Sequence, residues 1–373
     1  MKSNPMKRNL PNTRTFILAL LFSSLGILPA ISQDAAKPAA DTAKKAKKPK
    51  DPNDSTKKIK LFKESAPLQM TILTDMRQLV GEKDKAEFQK ATISLKLPDN
   101  TEYKETIELR ARGNFRREYC YVPSLMLNFE ATPDGKLSSL EKLKMVSSCR
   151  LGKVYDGYVL REYLCYKMWN ILTPMSFRVR LMQINFTDSE GKRKPYSSYG
   201  FFIEDVDDMA KRNGCREMEI KKLHTERTNR NFMTMVAMFQ YMIGNTDWSV
   251  PGDHNIKLIQ VRDSATTLPY AIPYDFDYSG LVNAEYAVPD EQLGTTSVRE
   301  RVYRGFPRTT EEIAAACQMY LSKKQEIYDL VRNFETLDKK DKDDIIRFLD
   351  EFYKVVSDPA RAKREFIDNA RSL

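Results

Sequence analysis

The sequence predicts a two-lobed α+β protein, sheet-rich in its first half and helical in its second. Short alternating or β-rich runs fill residues 68–150. From Glu204 onward the apolar residues recur at helical spacing instead. Two short strands near the junction interrupt that second half. Runs of strands followed by runs of helices are the pattern of a layered α+β arrangement, and the boundary falls near Glu204.

The elements follow in order. Gln69–Leu73, Ala91–Leu97, Tyr103–Arg110, Ser124–Phe129 and Leu140–Val146 read as strands, with Pro98-Asp99-Asn100 and Pro133-Asp134-Gly135 as turns. Tyr158–Leu172 reads as an amphipathic helix with Leu160, Leu164, Met168, Trp169 and Leu172 on one face, stopped by Thr173-Pro174. Phe177–Phe186 and Tyr199–Glu204 are strands around a polar hairpin. Asp205–Arg212 and Asn231–Ile243 are helices. A strand over Asn255–Gln260 and another leading into Pro273 come next, and the remainder is helical over about 311–332, 338–356 and 359–371.

The N-terminus is of another kind. Lys2, Lys7, Arg8 and Arg14 precede an apolar run from Thr15 to Ser32, and Ala30-Ile31-Ser32 offers a small-residue cleavage site. Residues 1–32 therefore read as a signal peptide of an exported protein, periplasmic, cell-surface or secreted. The alternative is an uncleaved anchor, the one membrane contact the sequence suggests. Residues 33–60, rich in Lys, Ala and Pro, read as a disordered linker before a domain at 61–373.

Net charge is +10, but 1–33 holds four basic and no acidic residues, and 34–60 holds nine Lys and four Asp. That leaves +1 for 61–373, which is not the footprint of a nucleic-acid binder. Five Cys without a Cys-x-x-Cys pair, and two His, argue against a zinc site. Cys120 and Cys149 are a candidate bridge. Cys165 lies in an apolar helical pattern and reads as core.

The chemistry gathers in 244–277. Gly244-Asn245-Thr246-Asp247 follows an apolar helix, Asp253-His254-Asn255-Ile256-Lys257 begins a strand, and Pro273-Tyr274-Asp275-Phe276-Asp277 ends the next. A hairpin between those strands brings Asp247, Asn255 and Asp275 to one end. Phosphoryl transfer asks for that set: a carboxylate for the nucleophile's proton, and an amide oxygen and a second carboxylate for a hard Mg²⁺ ion. Taken alone, Asn245, Asp247, Asp253 and Asn255 each read as turn formers; the ordered triple with its intervening strands favours the site.

On these residues the chain resembles the CotH-type atypical kinases over about 105–285, and the 244–276 stretch is also similar to HipA-type kinases. Arg112-Gly113-Asn114-Phe115-Arg116 resembles the RGN element of the first family, and Tyr199 to Glu204 its Y-G-x-Y-x-x-E strand. The resemblance implies a protein-kinase-like fold, with an N-lobe over about 61–204 and a C-lobe over about 205–373. It implies ATP with Mg²⁺ or Mn²⁺, and an unidentified hydroxyl acceptor on a protein or small molecule. Asp247 matches the catalytic aspartate. Asn255, Asp275 and Asp277 match metal-side positions, and Arg112, Asn114 and Glu204 nucleotide-side positions. The family's phosphate-gripping Lys is absent after the RGN element; Lys144 or Lys142 could supply that charge, and Glu162 could pair with it. Equally, both lysines read as exposed strand residues. Two other classes stay open: a catalytically inactive binding protein, and a metal-dependent hydrolase built on the acidic residues. Arg299, Arg301 and Arg304 read either as an acidic-substrate site or as salt-bridged surface. His254 reads as a structural residue.

Overall fold

The computed structural model describes residues 61–62, 66–132, 135–264 and 266–372. The signal-peptide and linker segments lie outside the described residues, as do Pro133 and Asp134 of one expected turn.

The first half forms a closed barrel. Its seven strands are β1 (Leu68–Thr74), β2 (Gln89–Lys96), β3 (Glu102–Arg112), β4 (Ser124–Asn128), β5 (Lys142–Ser147), β6 (Val179–Asp188) and β7 (Tyr196–Ile203), in the order β1-β2-β3-β4-β5-β7-β6. Neighbours pair antiparallel until β6 returns alongside β1 in parallel, Leu68 opposite Met182 and Thr74 opposite Asp188. This corrects the two-lobed, protein-kinase-like expectation, because the strands close on themselves and leave no open sheet lobe. Alternation tells which side chains point inward, not which distant strand completes the ring.

The barrel interior shows why closure is favourable. Ile72, Ile93, Leu109, Leu127, Met145, Ile184 and Phe202 are buried there, each worth about 1.5–3 kcal/mol of transfer free energy if fully withdrawn from water. The pleat then serves two cores. On β6 and β7, Met182 and Phe202 face the barrel, while Leu181 and Phe201 face the other way, into a second cluster.

That second cluster holds the rest of the protein together. It joins α3 (Lys153–Leu172), α5 (Arg230–Ile243), β9 (Ile256–Val261), β10 (Tyr270–Pro273), α6 (Thr310–Ser322), α7 (Lys324–Arg332) and α8 (Lys339–Val356). Shorter pieces complete the described chain: α1 (Met76–Gly81), α2 (Asn114–Tyr119), α4 (Val206–Arg212), β8 (Cys215–Met218) and α9 (Pro359–Lys363). β8, β9 and β10 form a separate sheet in the order β10-β9-β8. The helix expected over 311–332 breaks at Lys323, and that over 359–371 ends at Lys363 and continues as a π-turn over Arg364–Asp368. α1, α2 and β8 are too short to show a period in the sequence.

Cys120 and Cys149 are disulfide-bonded. Cys165, Cys215 and Cys317 are free thiols, all buried. No described helix is long and apolar enough to cross a membrane.

Candidate functional site

α5 delivers the first site residue. Asn229 caps its start and Gly244, at φ +66°, ends it in the left-handed conformation that glycine adopts without a Cβ penalty. A Cβ at Gly244 would meet the Phe348 ring at 3.0 Å, a close contact that adds to the backbone preference for glycine. Asn245 is buried; its Nδ2 donates to Gln240 Oε1 at 3.0 Å and its Oδ1 accepts the Asp247 amide at 3.0 Å. Arg304 donates to the carbonyls of Thr246 and, at 3.0 Å, Trp248. Asp247 thus projects from a loop held on both sides.

The β9–β10 hairpin delivers the others. Ile256 pairs with Pro273, so Asn255 and Tyr274 come next to each other, and the Tyr274 amide donates to the Asn255 carbonyl at 3.1 Å. Asn255 Nδ2 donates to the main-chain oxygen of Asp247 at 2.8 Å and to its Oδ2 at 3.0 Å. Asp247 Oδ1 accepts from His254 Nε2 at 2.6 Å. With its amide nitrogen committed, Asn255 keeps Oδ1 for another partner. Asp275 is anchored by its amide, which donates to the buried Tyr166 hydroxyl at 2.8 Å. Asp253, Asn255 and Asp275 all have φ between +50° and +61°. Among residues with a Cβ, Asp and Asn tolerate that region best, and such conformations persist where surrounding structure imposes them.

Behind Asp275 lies a charged interior. Asp277 Oδ2 accepts from Arg116 Nη2 at 2.9 Å and from the Tyr286 hydroxyl at 3.3 Å. The same guanidinium reaches Glu162 on α3 at 3.3 Å and the Ser147 carbonyl at 3.2 Å. Burial, then the charge of Asp277, pushes the Asp275 carboxyl up to about 7. Burial drives Glu162 well above the ordinary carboxylate range as well. Two buried carboxylates, Glu162 and Asp277, therefore share the Arg116 guanidinium.

Basic residues line the cavity as well. Arg112, Lys144 and Lys257 line the same cavity of about 410 Å³ as Asn114, Asp247, Asn255, Asp275 and Asp277. Burial first, then the Arg112 charge, pulls the Lys144 ammonium below its ordinary value. Lys257 is balanced by Glu217 at 2.8 Å. Val146, Phe177, Ile203 and Tyr274 add an apolar end to the cavity.

Seven of the eight expected site residues therefore meet in one cleft. Glu204 does not. Its carboxylate is buried against Arg212, at 2.9 Å from Nε, and accepts the Arg178 amide at 3.0 Å, so it ties the end of β7 to α4. Of the two candidate lysines, Lys144 lines the cleft and Lys142 is exposed. Glu162 pairs with Arg116 rather than with a lysine. Arg299, Arg301 and Arg304 serve the scaffold: Arg299 pairs with Asp344 at 3.0 Å, Arg301 lies 3.7 Å from the Phe348 ring centre, and Arg304 holds the Asp247 loop. His254 touches Asp247 directly. Sequence reasoning passed over Lys257 and Arg116 as site groups. Lys257 had a signal, since it stands two residues after Asn255 on an alternating strand.

No family model matches this chain, and no curated protein matches it.

The donor set fits a hard divalent cation. It is made of oxygens, from Asp275, Asp277 and Asn255, with one guanidinium, that of Arg116, shared between Asp277 and Glu162. Among the described residues no group of three or more His, Cys, Asp or Glu forms a metal cage. Mg²⁺, were it bound, would take one or two carboxylates and complete its shell with phosphate and water.

The raised Asp275 value has a consequence for stability. Its folded value of about 7 exceeds the ordinary 3.8, so between those pH values the folded chain binds more protons than the unfolded one. Ligand-free stability is therefore expected to fall as pH rises from about 4 to about 7. Asp275→Asn should flatten that slope, and saturating Mg²⁺ should also flatten it, in denaturation midpoints measured across this range.

Proposed function

We propose that the cleft binds a magnesium nucleoside triphosphate and transfers its terminal phosphoryl group to a hydroxyl acceptor, on a protein or a small molecule. The observation that carries the reading is the meeting of an oxygen-only acidic floor with a basic wall in one cavity of nucleotide size. Mg²⁺, when bound, neutralises phosphate charge. Arg112 and Lys144 reach the phosphate oxygens from the barrel side and Lys257 from the hairpin side. An anion there would also offset the burial and the Arg112 charge that together hold Lys144 low. Asp247 accepts the proton as the acceptor oxygen bonds to the terminal phosphorus. The bond to the bridging oxygen breaks, and its electron pair leaves with the nucleoside diphosphate. The motif likeness to CotH-type kinases supports the chemistry through these residues, independently of the barrel.

A nucleotide-binding protein without turnover is the second reading. It is favoured by Asp247, both of whose carboxylate oxygens already accept hydrogen bonds. Phosphate transfer or release from ATP by the purified chain with Mg²⁺ separates the two. Asp247→Asn is expected to lower the rate by about 10²–10⁴-fold, the usual contribution of a proton-transfer group, while leaving nucleotide affinity in place. Turnover equal to the parent's sinks the assignment of Asp247. Nucleotide binding without turnover in the parent supports the second reading.

A further inference from the structure

The acidic floor is held by two devices that converge on the same place. Arg116 faces Glu162 and Asp277. Its backbone belongs to α2, a six-residue helix, shorter than a helix needs to persist by itself. Gly113, at φ +82°, leads into α2 as a permissive joint. α2 and the residues that follow it are then tied to the end of β5 three times. The Arg116 guanidinium donates to the Ser147 carbonyl at 3.2 Å. The Cys120 amide, which donates to the Arg116 carbonyl at 3.0 Å, belongs to the cysteine bonded to Cys149, two residues past Ser147. The Tyr121 amide donates to the Cys149 carbonyl at 2.7 Å in the same junction.

We propose that Arg116 is the positioning residue of the cation-binding carboxylates, and that the Cys120–Cys149 bond, by fixing α2 to the end of β5, makes the cleft's affinity for a divalent cation and its nucleotide depend on oxidation of that pair. This rests on the phosphoryl-transfer reading of the cleft. Without the bond, α2 loses its covalent tie to β5 and keeps hydrogen bonds, ion pairs and ring contacts alone, so Arg116 is held less firmly over Glu162 and Asp277. Where Arg116 moves away, Glu162 and Asp277 stand buried with no guanidinium, a strongly unfavourable state that displaces them from their present positions. Both cysteines are buried in the folded chain. Exchange with solvent thiols is therefore blocked, and the redox surroundings in which the chain folds decide the state of the cleft.

The test compares the oxidised full chain with C120S/C149S, R116A and R116K, using Mn²⁺ alone by electron paramagnetic resonance and Mn·ATP by calorimetry. C120S/C149S and R116A should each weaken both probes at least tenfold, R116K should recover much of the loss, and R116A in the C120S/C149S background should lose little more than R116A alone. Hydrogen exchange should rise over 114–119 and 275–277 in C120S/C149S. Parent-like affinity in C120S/C149S, or losses that multiply in the combined variant, overturns the proposal. If C120S/C149S does not fold, the disulfide-intact R116A and R116K chains decide, and equal affinity in the two overturns it. A parent that binds no Mn·ATP sinks the phosphoryl-transfer reading itself. The clamp is then judged on hydrogen exchange, where unchanged protection over 114–119 and 275–277 overturns it.

Discussion

Asp275→Asn is expected to abolish Mg²⁺-dependent nucleotide binding while leaving the ligand-free protein as stable as the parent or more so. The two effects separate a functional carboxylate from a structural one. Asp275 stands half-buried beside Asp277, and desolvation and that like charge push its carboxyl up to about 7. A neutral amide of the same shape removes the repulsion. Asparagine also tolerates the left-handed backbone at this position, φ +61°, and its amide N–H still meets the Tyr166 hydroxyl. What it cannot supply is the anionic oxygen that a divalent cation needs. In thermal denaturation the parent should gain about 2.7 kcal/mol at a Mg·ATP concentration 100 times its dissociation constant, and Asp275→Asn should gain almost nothing. Any turnover should fall by about 10²-fold or more, the scale on which removal of one electrostatic stabiliser is felt.

Phe276→Ala is expected to cost about 3–5 kcal/mol, the usual range for truncating a buried phenylalanine, and so a large share of a total stability of about 5–15 kcal/mol. The Phe276 ring is fully buried between Tyr166, at 4.7 Å between centroids, and Phe239, at 5.5 Å. It is also the residue between the two acidic ones. The ring joins α3 and α5 to the segment that presents Asp275 and Asp277, so the core and the site share it. Urea denaturation should show the lower midpoint with little change in slope. Phe276→Leu, which leaves a smaller cavity, should lose less. Surviving Phe276→Ala protein should bind Mg·ATP more weakly than the parent, because the carboxylates are no longer held from behind.

The parts of this site that could be read from the sequence are local ones. Asn255 and Asp275 flank two short apolar strands, and a hairpin between neighbouring strands places both ends together without any long-range knowledge. Asp247 follows a helix whose apolar face and terminal glycine are plain in the sequence. The barrel is the opposite case. Its closure depends on Leu68 lying beside Met182, and the period-2 pattern of β1 suits any edge that offers an apolar partner. Glu204 was misplaced for a related reason. A carboxylate at the end of a strand looks the same whether it faces a cleft or an arginine, and Arg212, on the next helix, takes it here. Arg116 is a charged residue in a short helix, and its worth lies in Glu162 and Asp277, both remote in the chain.

The cleft's role is tested most directly by a crystal structure of the chain with Mn²⁺ and a non-hydrolysable ATP analogue, read by the anomalous signal of the metal. A metal peak is expected in the cleft, within about 2.0–2.3 Å of carboxylate oxygen from Asp275 and the side-chain oxygen of Asn255, with phosphate oxygens completing its shell and Lys144 and Arg112 on the phosphates. A nucleotide bound elsewhere on the protein, or a metal that bypasses Asp275 and Asn255, would contradict that role.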